Sequence, residues 1–457
     1  MESRLNLTDT LSAYIAQDRT GTLPQHIIER AKIHILDTLG AMISGSGLKP
    51  GRLITDFVRT QGGAPEATIA STDIRTNAIM AALANGVMAH ADETDDTHFS
   101  TVTHPGSVVV PASLAVAERG HCSGMELISA VVLGYDVMCR LVKALDRTWM
   151  QGRCIHTGSV CANFGATASA SRLLRLPISQ VRFALAFAGT QASGLTTWRQ
   201  DLEHIEKALC YSGIPARNGV TAALWAQAQF TATPDVFEGS ENFIRAFAEQ
   251  PKPEELIRDL GSHYEILDAG IKKYPAGQPM QQTLEAYFTL LREHSLRSQD
   301  IREIIVRLPD TQALTINDRH MPDVNCQYLL AVAMLDGSVD FKSSHDFNRM
   351  QDSDVLELKK RVQIIADPEL TSKFPAVRSA IVELIMSDGM HYQVLVDRVP
   401  GAPSNPLSEK EVAEKFLSLS NPVLGAERSK AIVTGVGGLE QIPDVAELAA
   451  MLVQIHN

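Results

Sequence analysis

The residue types best suited to chemistry lie close together, between His90 and His104. Four carboxylates and three histidines fall within these fifteen positions, and an apolar run begins at Val108. Histidine exchanges protons near neutral pH, and a nearby carboxylate can orient it or tune its pKa. A polar cluster that opens onto an apolar run is typical of a loop at the mouth of a core, where active sites are common. The segment therefore predicts acid–base catalysis.

The same residues also allow a purely structural interpretation. Asp95, Asp96 and Thr97 could cap one helix. Pro105 suits the first position of the next helix, which would leave His104 merely near a helix N-terminus. The cluster by itself leaves both interpretations open.

His156 and a pair of lysines are further candidates. His156 lies in the glycine-flanked segment 152–158, directly ahead of a stretch rich in alanine and glycine. A helix that starts there would offer backbone donors to an anion, although a lone histidine is more often a core residue with satisfied hydrogen bonds. Lys272 and Lys273, before Tyr274-Pro275, could face a cleft or simply be solvated.

The elements that would position these residues are mostly helices. Helical periodicity extends from residue 5 to about residue 260, with Ile27, Ala31, Ile35 and Leu39 on one stripe. Further helices are predicted for residues 77–91, 124–143, 159–174 and 218–230, which are rich in small and apolar residues. This region is typical of an all-helical core.

After Pro275 the pattern changes to short strands. Strands are predicted for residues 301–308, 362–365, 380–385 and 392–396, with a turn at Asp388-Gly389 between the last two. A turn-rich stretch, residues 400–406, precedes another helical pattern at residues 412–419. Gly435-Val436-Gly437-Gly438 lacks the strand and helix context of a nucleotide fingerprint, and we interpret it as a turn.

Composition narrows the functional class. The chain has 457 residues, 45% of them hydrophobic, and a net charge of -12 without blocks of like charge. Nucleic acid is therefore not an expected partner, whereas a few cations in one cleft could still bind an anionic substrate. The six cysteines show no spacing suited to zinc or an iron–sulfur cluster. The N-terminal residues lack the pattern of a signal peptide, and no apolar run reaches the ~20 residues of a membrane span. These features predict a cytoplasmic protein with no metal and no membrane partner.

A set of short motifs follows in order along nearly the whole chain. They are Leu36-Asp37-Thr38-Leu39-Gly40, Asn85-Gly86, the segment from His90 to Thr97, His104-Pro105-Gly106, Gly134-Tyr135-Asp136, the His156 segment, Phe164-Gly165-Ala166, Arg217-Asn218-Gly219, Lys272-Lys273-Tyr274-Pro275, Asn405-Pro406-Leu407 and Lys415-Phe416. In this order and spacing, the chain resembles the MmgE/PrpD family, which includes 2-methylcitrate dehydratases, cis-aconitate decarboxylases and iminodisuccinate epimerases.

The resemblance implies a fold that is mainly α with a smaller α+β domain. An all-helical core domain would be built from both chain ends, residues 1–268 and 404–457, with an inserted α+β lid domain at residues 269–403. The resemblance also implies a homodimer with the active site in the cleft between the domains, a small polycarboxylate substrate and no cofactor. The periodicity of the sequence agrees with this division.

The resemblance also assigns roles to residues by their position. His104 looks like the family's acid/base histidine, and Thr97, His156 and Lys272 would line the substrate pocket. His156 and Lys272 could neutralise substrate carboxylates during catalysis, and Glu93 could orient or tune a histidine. The candidate catalytic residues are therefore His104, Glu93, His156 and Lys272, and the candidate substrate-binding residues are Thr97, Asp96, Lys207, Tyr211 and Lys273.

The chain departs from the family pattern at two places. Many relatives have an aspartate where this chain has Glu93. Dehydratases and decarboxylases of the family also have a lysine and, three residues later, a histidine before the glycine that matches Gly213. Aligned on that glycine, the two positions are Ala208 and Tyr211. Lys207 takes the lysine position if this loop holds one more residue.

The expected chemistry is the transfer of a proton at a carbon next to a carboxylate. The same side chains can eliminate water, protonate the carbanion left by decarboxylation, or return a proton to the opposite face. The leading prediction is a lyase, either a 2-methylcitrate dehydratase-like hydro-lyase or a cis-aconitate decarboxylase-like carboxy-lyase. An epimerase or isomerase of an amino- or imino-dicarboxylate and a non-catalytic binding member of the family are the alternatives.

Overall fold

The structure, a computed structural model, describes residues 6–454 and groups them into two units. The first unit contains residues 6–91, 95–269 and 409–454, and the second contains residues 92–94 and 270–408. The first unit is built of helices with a few two-residue strands, whereas the second combines helices with a four-stranded sheet. The prediction of a mainly α protein with a small sheet is confirmed.

The first unit begins with a long series of helices. They are α1 (Leu7–Ala16), α2 (Gln25–Ser46), α3 (Lys49–Gln61), α4 (Ala78–Ala89), α5 (Pro105–Arg119), α6 (Gly124–Ala144), α7 (Arg147–Gln151), α8 (Thr157–Leu173), α9 (Ile178–Thr190), α10 (Ile205–Ala208), α11 (Ile214–Gln227) and α12 (Phe243–Phe247). The two-residue strands are β1 (Ala67–Thr68), β2 (Arg75–Thr76), β3 (Thr97–His98) and β4 (Ala269–Gly270). Within residues 6–454, none of the helices has both the length and the apolar character of a membrane span.

Helix α8 lies in the core of the first unit, where it packs against α5, α6 and α11. All of its residues are buried, and most of them are small. A Cβ atom at Gly165 would lie 2.8 Å from the carbonyl oxygen of Gly134 in α6, and one at Gly219 in α11 would lie 2.3 Å from the Cβ of Ala166. Because the backbones approach so closely, only glycine fits at these crossings. The small-residue motifs of the sequence are therefore packing motifs.

The second unit packs helices against a mixed sheet. Its helices are α13 (Gln278–Glu293), α14 (Asp310–Ile316), α15 (Cys326–Asp336), α16 (Ser353–Lys359) and α17 (Pro368–Lys373), and its strands are β5 (Ile301–Leu308), β6 (Val362–Ala366), β7 (Ala380–Met386) and β8 (His391–Val396). The strand order is β6-β5-β7-β8, with β5 and β6 parallel and the other pairs antiparallel. Buried Ile304 of β5 faces Val362 and Leu384 on its two neighbours.

The chain then returns to the first unit with α18 (Glu409–Leu424), α19 (Ala426–Gly437) and α20 (Ala446–Met451). Helix α18 packs on α2, and the ring of Phe416 lies against Gly40. Beside this contact, Nζ of Lys415 lies 2.6 Å from Oδ1 of the buried Asp37. Burial raises the pKa of Asp37 to about 6, although Lys415 acts to lower it. Two motifs from opposite ends of the chain thus meet in one ion pair.

The elements that the sequence placed agree with the structure, with one exception. The predicted helices coincide with α4, α6, α8 and α11 to within four residues, and the four predicted strands coincide with β5–β8 to within one. The interpretation of residues 435–438 as a turn was wrong, because α19 continues to Gly437. Ile432 and Val436, one helical turn apart, are both buried, and this packing outweighs the poor helix propensity of glycine.

Candidate active site

The loop between α4 and α5 carries the predicted cluster of histidines and carboxylates. His90 follows the last turn of α4, and its Nδ1 lies 2.9 Å from Oδ2 of Asp95. Both side chains are fully buried. The same oxygen of Asp95 lies 3.5 Å from Nδ1 of His104. A single buried carboxylate therefore faces two imidazole rings.

Asp96 organises the same loop. Its Oδ2 accepts hydrogen bonds from Nδ1 of His34 at 2.9 Å and from the hydroxyl of Tyr135 at 2.6 Å, and its Oδ1 accepts one from the N–H of Gly106 at 3.0 Å. Burial lowers the pKa of His34, so the ring donates in its neutral form. Burial acts to raise the pKa of Asp96, but the bonds from His34 and Tyr135 outweigh it and lower that pKa. These are the contacts of a residue that positions the loop.

The same network explains the motif His104-Pro105-Gly106. Pro105 is the first residue of α5, as the structural interpretation of the sequence predicted. A Cβ atom at Gly106 would lie 2.7 Å from the hydroxyl oxygens of Thr38 and Tyr135 and 2.9 Å from Oδ1 of Asp96. Only glycine lets the backbone approach Asp96 this closely, and the approach fixes the chain that carries His104.

Replacing Tyr135 with phenylalanine removes one donor from the buried carboxylate of Asp96 and keeps the ring. Hydrogen bonds to charged groups contribute about 1.5–3 kcal/mol, and we expect the free energy of unfolding to fall by this amount. Urea denaturation followed by circular dichroism measures the change. Tyr392→Phe is the control, because no hydrogen bond involves that hydroxyl among residues 6–454. Equal effects of the two substitutions would contradict the role given to Tyr135.

His104 is held in one tautomer. Its Nδ1 lies 2.7 Å from the backbone carbonyl oxygen of Asp96. A carbonyl oxygen can only accept, so Nδ1 carries the hydrogen and the lone pair of the neutral ring is on Nε2. A general base needs such an oriented lone pair. The carboxylate of Asp95 stabilises the positive charge that the ring acquires when it takes up a proton.

His156 is held in the opposite tautomer. It caps α8, and its Nδ1 accepts a hydrogen bond from the N–H of Ser159 at 3.1 Å. A backbone N–H can only donate, so the neutral ring carries its hydrogen on Nε2. Burial lowers the pKa of His156 well below its ordinary value, and the charges of His104, Arg147 and Lys207 lower it further. At neutral pH His156 is therefore an uncharged hydrogen-bond donor.

Tyr211 joins these histidines into one wall. Its ring stacks on His156 with 4.2 Å between ring centres and on His90 with 5.1 Å, and it lies 5.9 Å from the ring of His104. Nζ of Lys207 lies 5.2 Å from the centre of the Tyr211 ring. We call His90, His104, His156, Lys207 and Tyr211 the histidine–tyrosine wall. It contains four of the residues that the sequence predicted for the site.

A local expansion of the helix places Lys207 and Tyr211 in this wall. Leu209–Gly213 forms a π-helical turn between α10 and α11, and the N–H of Ile214 donates to the carbonyl of Leu209, five residues earlier. Such a turn holds one residue more than an α-helical path and is common at functional sites. That Lys207 takes the lysine position of the family stays a prediction. A Cβ at Gly213 would lie 2.4 Å from Cγ2 of Val87, so this turn also packs tightly on α4.

Thr97, in β3, has a buried hydroxyl with no hydrogen-bond partner among residues 6–454. The Nε2 atom of His90 is likewise buried and has no hydrogen-bond partner among these residues. A buried polar group without a partner costs about 1–3 kcal/mol, which a bound molecule with suitable oxygens would offset. The predicted contact between Thr97 and substrate fits this observation.

The other predicted residues belong to the second unit. Lys272 is buried, and its Nζ donates to the carbonyl oxygen of Glu93 at 2.7 Å and lies 3.6 Å from that residue's Oε2. Lys273 is exposed, with its Nζ 2.8 Å from Oε2 of Glu285. Lys272 and Glu93 thus form one buried pair, whereas the charge of Lys273 is balanced at the surface.

His345 holds the neighbouring Asp92 in the second unit. Its Nε2 lies 3.0 Å from Oδ2 of Asp92, and its Nδ1 lies 2.7 Å from the carbonyl oxygen of Phe341. Both neighbours are acceptors, so the ring satisfies them only when it is protonated. Burial acts to lower the pKa of His345, but Asp92 outweighs it and raises that pKa. Burial likewise acts to raise the pKa of Asp92, and His345 lowers it.

This pair predicts a pH-dependent stability. The contribution of His345 is complete below its ordinary pKa of 6.5 and is lost as the pH rises through the raised value. The contribution of Asp92 is present above its ordinary pKa of 3.8 and is lost as the pH falls through the lowered value. We therefore expect His345→Gln to lower the free energy of unfolding more at about pH 5 than at about pH 9. Urea denaturation at both pH values measures it, and an equal loss would contradict the charged pair.

Two groups of side chains in the described part of the first unit lie close enough to share a cation: His90, Asp95 and His104, and His98, Glu265 and Asp268. In the second group, Nζ of Lys143 lies 2.6 Å from Oε2 of Glu265 and already supplies a positive charge. Burial acts to raise the pKa of Glu265, but His98 and Lys143 lower it to about 2. In the first group, Nδ1 of His104 already donates to the carbonyl of Asp96. Protein groups thus account for both arrangements.

Sequence analysis gave no role to His34 or Tyr135 and no individual role to His90. His34 and Tyr135 lie on α2 and α6, far in sequence from the loop that they hold. The available signal was a polar side chain within an otherwise apolar helix, since buried polar groups need partners. Nothing in the sequence, however, indicates which partner such a group has.

Comparisons with known proteins agree with the motifs. Models of the MmgE/PrpD N-terminal and C-terminal domains match residues 9–256 and 274–438. The cis-aconitate decarboxylase of Mus musculus is 27% identical over 98% of this chain and 93% of its own length, and that of Homo sapiens is 27% identical over 98% and 94%. A cis-aconitate decarboxylase of Aspergillus terreus is 24% identical over 98% and 96%.

Proposed function

The chain belongs to the MmgE/PrpD family, and we propose that it is a lyase that acts on a small polycarboxylate by proton transfer next to a carboxylate. The observation that carries the proposal is the opposite tautomers of His104 and His156. One ring presents a lone pair on Nε2, the other presents an N–H, and both lie against Tyr211. An oriented base beside a neutral donor is suited to removing or returning such a proton.

The proposed chemistry uses both rings. In a dehydration, Nε2 of His104 takes the proton from the carbon next to a carboxylate, the electron pair moves into that carboxylate, and the Nε2–H of His156 stabilises the charge on its oxygen. The electron pair then returns from the carboxylate to form the double bond as the carbon–oxygen bond of the neighbouring hydroxyl breaks. Protonated His104 gives its proton to that hydroxyl, which leaves as water. In a decarboxylation, His104 first takes a proton from solvent on Nε2. The carbon–carbon bond to one carboxylate breaks, carbon dioxide departs, the electron pair stays on the carbon, and His104 gives its proton to that carbanion.

Among these reactions we favour decarboxylation of an acid like cis-aconitate, because relatives that match 98% of this chain bear that name. Dehydration of an acid like 2-methylcitrate would use the same residues. Epimerisation of an amino- or imino-dicarboxylate is the second candidate function. It is favoured by Tyr211, whose ring stacks on His156 and His90, because a tyrosine beside a catalytic histidine can act as a second acid or base.

The proposal extends to the remaining predicted features. We propose that the enzyme works without a cofactor, as a cytoplasmic homodimer. Lys272 is the proposed counter-charge for a substrate carboxylate, with Glu93 holding it in place, and Lys273 is a further proposed substrate-binding residue. Their arrangement as part of an α+β lid belongs to the same proposal.

Product analysis tests the proposed reaction. The purified protein is incubated separately with cis-aconitate, 2-methylcitrate and iminodisuccinate, and proton NMR identifies the products. Loss of a carboxylate from cis-aconitate supports the decarboxylase, whereas a new double bond in 2-methylcitrate supports the dehydratase. A change of configuration alone would support the epimerase. Silence with all three acids, from a protein that melts cooperatively, would instead favour a non-catalytic binding protein.

A further inference from the structure

Arg147 is the first residue of the short helix α7, which leads directly into His156. Asp146 caps this helix by accepting a hydrogen bond from the N–H of Trp149 at 3.0 Å. The N–H of Ile155 donates to the carbonyl of Met150 at 3.0 Å, which ties the following loop back to the helix. Helix α7 and the backbone of His156 are therefore held as one piece.

Arg147 differs in its hydrogen bonds from other buried or partly buried arginines of the first unit. Arg140 donates to the carbonyls of two residues, and Arg172 donates to two carbonyls and to a serine hydroxyl. Arg30 donates to the carbonyl of Ala269. Arg147 is partly buried, yet among residues 6–454 its guanidinium makes no ion pair and no hydrogen bond. A partly desolvated guanidinium without a protein partner gains from binding an anion, because burial makes an unpaired charge costly.

The surroundings of Arg147 indicate which anion. Burial lowers the pKa of Arg147, and Tyr211 is the group whose charge acts against this. The charge of Arg147 also lowers the pKa of His156. Arg147 therefore lies within electrostatic range of the histidine–tyrosine wall, where Nζ of Lys207 lies 5.4 Å from the ring centre of Trp198 and 5.2 Å from that of Tyr211. Lys207 thus lies over a ring that stacks on a neutral imidazole donor, and the charge of Arg147 acts on both of these rings.

We propose that Arg147 binds a carboxylate of the substrate and, together with Lys207, makes the wall specific for acids with more than one carboxylate; this rests on the proposed function. The planar guanidinium matches a carboxylate with two parallel hydrogen bonds, which a lysine cannot reproduce. One substrate carboxylate lies on Arg147, and the carbon next to another lies at His104. A monocarboxylate cannot occupy both positions and is a poor ligand.

Isothermal titration calorimetry with tricarballylate, a saturated tricarboxylate, tests this inference. We expect Arg147→Gln to weaken binding at least ten-fold, since a hydrogen-bonded charge pair contributes about 1.5–3 kcal/mol. Arg147→Lys keeps the positive charge but loses the two parallel hydrogen bonds of the guanidinium, and it should bind with intermediate affinity. Arg153→Gln is the matched control, because Arg153 is an exposed arginine close to the same helix. Its Cζ atom lies 3.9 Å from the centre of the Trp149 ring. The control should bind as the wild type does.

The outcomes separate this inference from the proposed function. If the wild type binds tricarballylate and turns over a polycarboxylate, but Arg147→Gln has the same dissociation constant and KM, the inference is overturned and the proposed function stands. If the wild type neither binds nor turns over any polycarboxylate, both are overturned. Thermal melting verifies that each variant is folded. If Arg147→Gln is unfolded, the dissociation constant of Arg147→Lys tests the inference instead, and a value equal to that of the wild type overturns it.

Discussion

Replacing His104 with glutamine is expected to reduce kcat by about 10²–10⁴-fold while the protein stays folded. Glutamine can still donate to the carbonyl of Asp96, which His104 contacts through Nδ1, but it has no basic nitrogen to place where Nε2 lies. The loss should therefore appear in kcat and much less in KM. Steady-state kinetics on the acid identified by NMR measure both parameters.

The control for this substitution is His121→Gln. His121 is an exposed histidine whose Nδ1 lies 2.8 Å from Asp444, and the change removes an imidazole without touching the wall. Its kcat should remain close to that of the wild type. If His104→Gln retained wild-type turnover, another group would have to be the base, and the tautomer of His104 would not identify the catalytic base.

Replacing His156 with asparagine is expected to reduce kcat/KM by about 10²–10³-fold, the usual effect of removing one donor to a developing negative charge. Asparagine is a good helix cap, so its side-chain oxygen can still accept from the N–H of Ser159. The imidazole Nε2–H and the stacking on Tyr211 are lost. The melting temperature should therefore change little while catalysis falls.

His156→Ala serves as the comparison for this second substitution. It removes the cap as well as the donor, so it should lose activity to a similar extent and also about 1 kcal/mol of stability. Because burial holds the pKa of His156 well below its ordinary value, the ring is neutral across the neutral range, and the loss should be the same at about pH 7 and about pH 8. Full activity of the asparagine variant would show that His156 only caps α8.

The elements that sequence analysis predicted well are those whose signal is local. The alternation in residues 301–308 reflects a strand whose side chains are buried on one face, and it matches β5 to the residue. Pro105 marks the start of α5, because its fixed backbone suits the first helical position. Gly165 and Gly219 belong to motifs that carried the resemblance, and their role follows from how closely three helices approach.

What could not be predicted depends on partners far away in the chain. The tautomer of His104 follows from a carbonyl eight residues earlier, and that carbonyl is fixed by hydrogen bonds that Asp96 receives from His34 and Tyr135. The π-helical turn at Leu209–Gly213 has no reliable signal in one sequence, so the position of Lys207 stayed open. Arg147 drew no attention in the sequence, because only the structure shows that its charge has no protein partner in the described residues.

The central claim is that His104 transfers a proton at the carbon next to a carboxylate. Its most direct test is mass spectrometry of the recovered acids and products after incubation of cis-aconitate, 2-methylcitrate or iminodisuccinate with the protein in deuterium oxide. The imidazole proton exchanges with solvent, so the wild type should introduce deuterium at that carbon, and His104→Gln should do so at least a hundred-fold more slowly, as loss of a general base implies. Turnover without deuterium at this carbon, or equal incorporation by both proteins, would contradict the account.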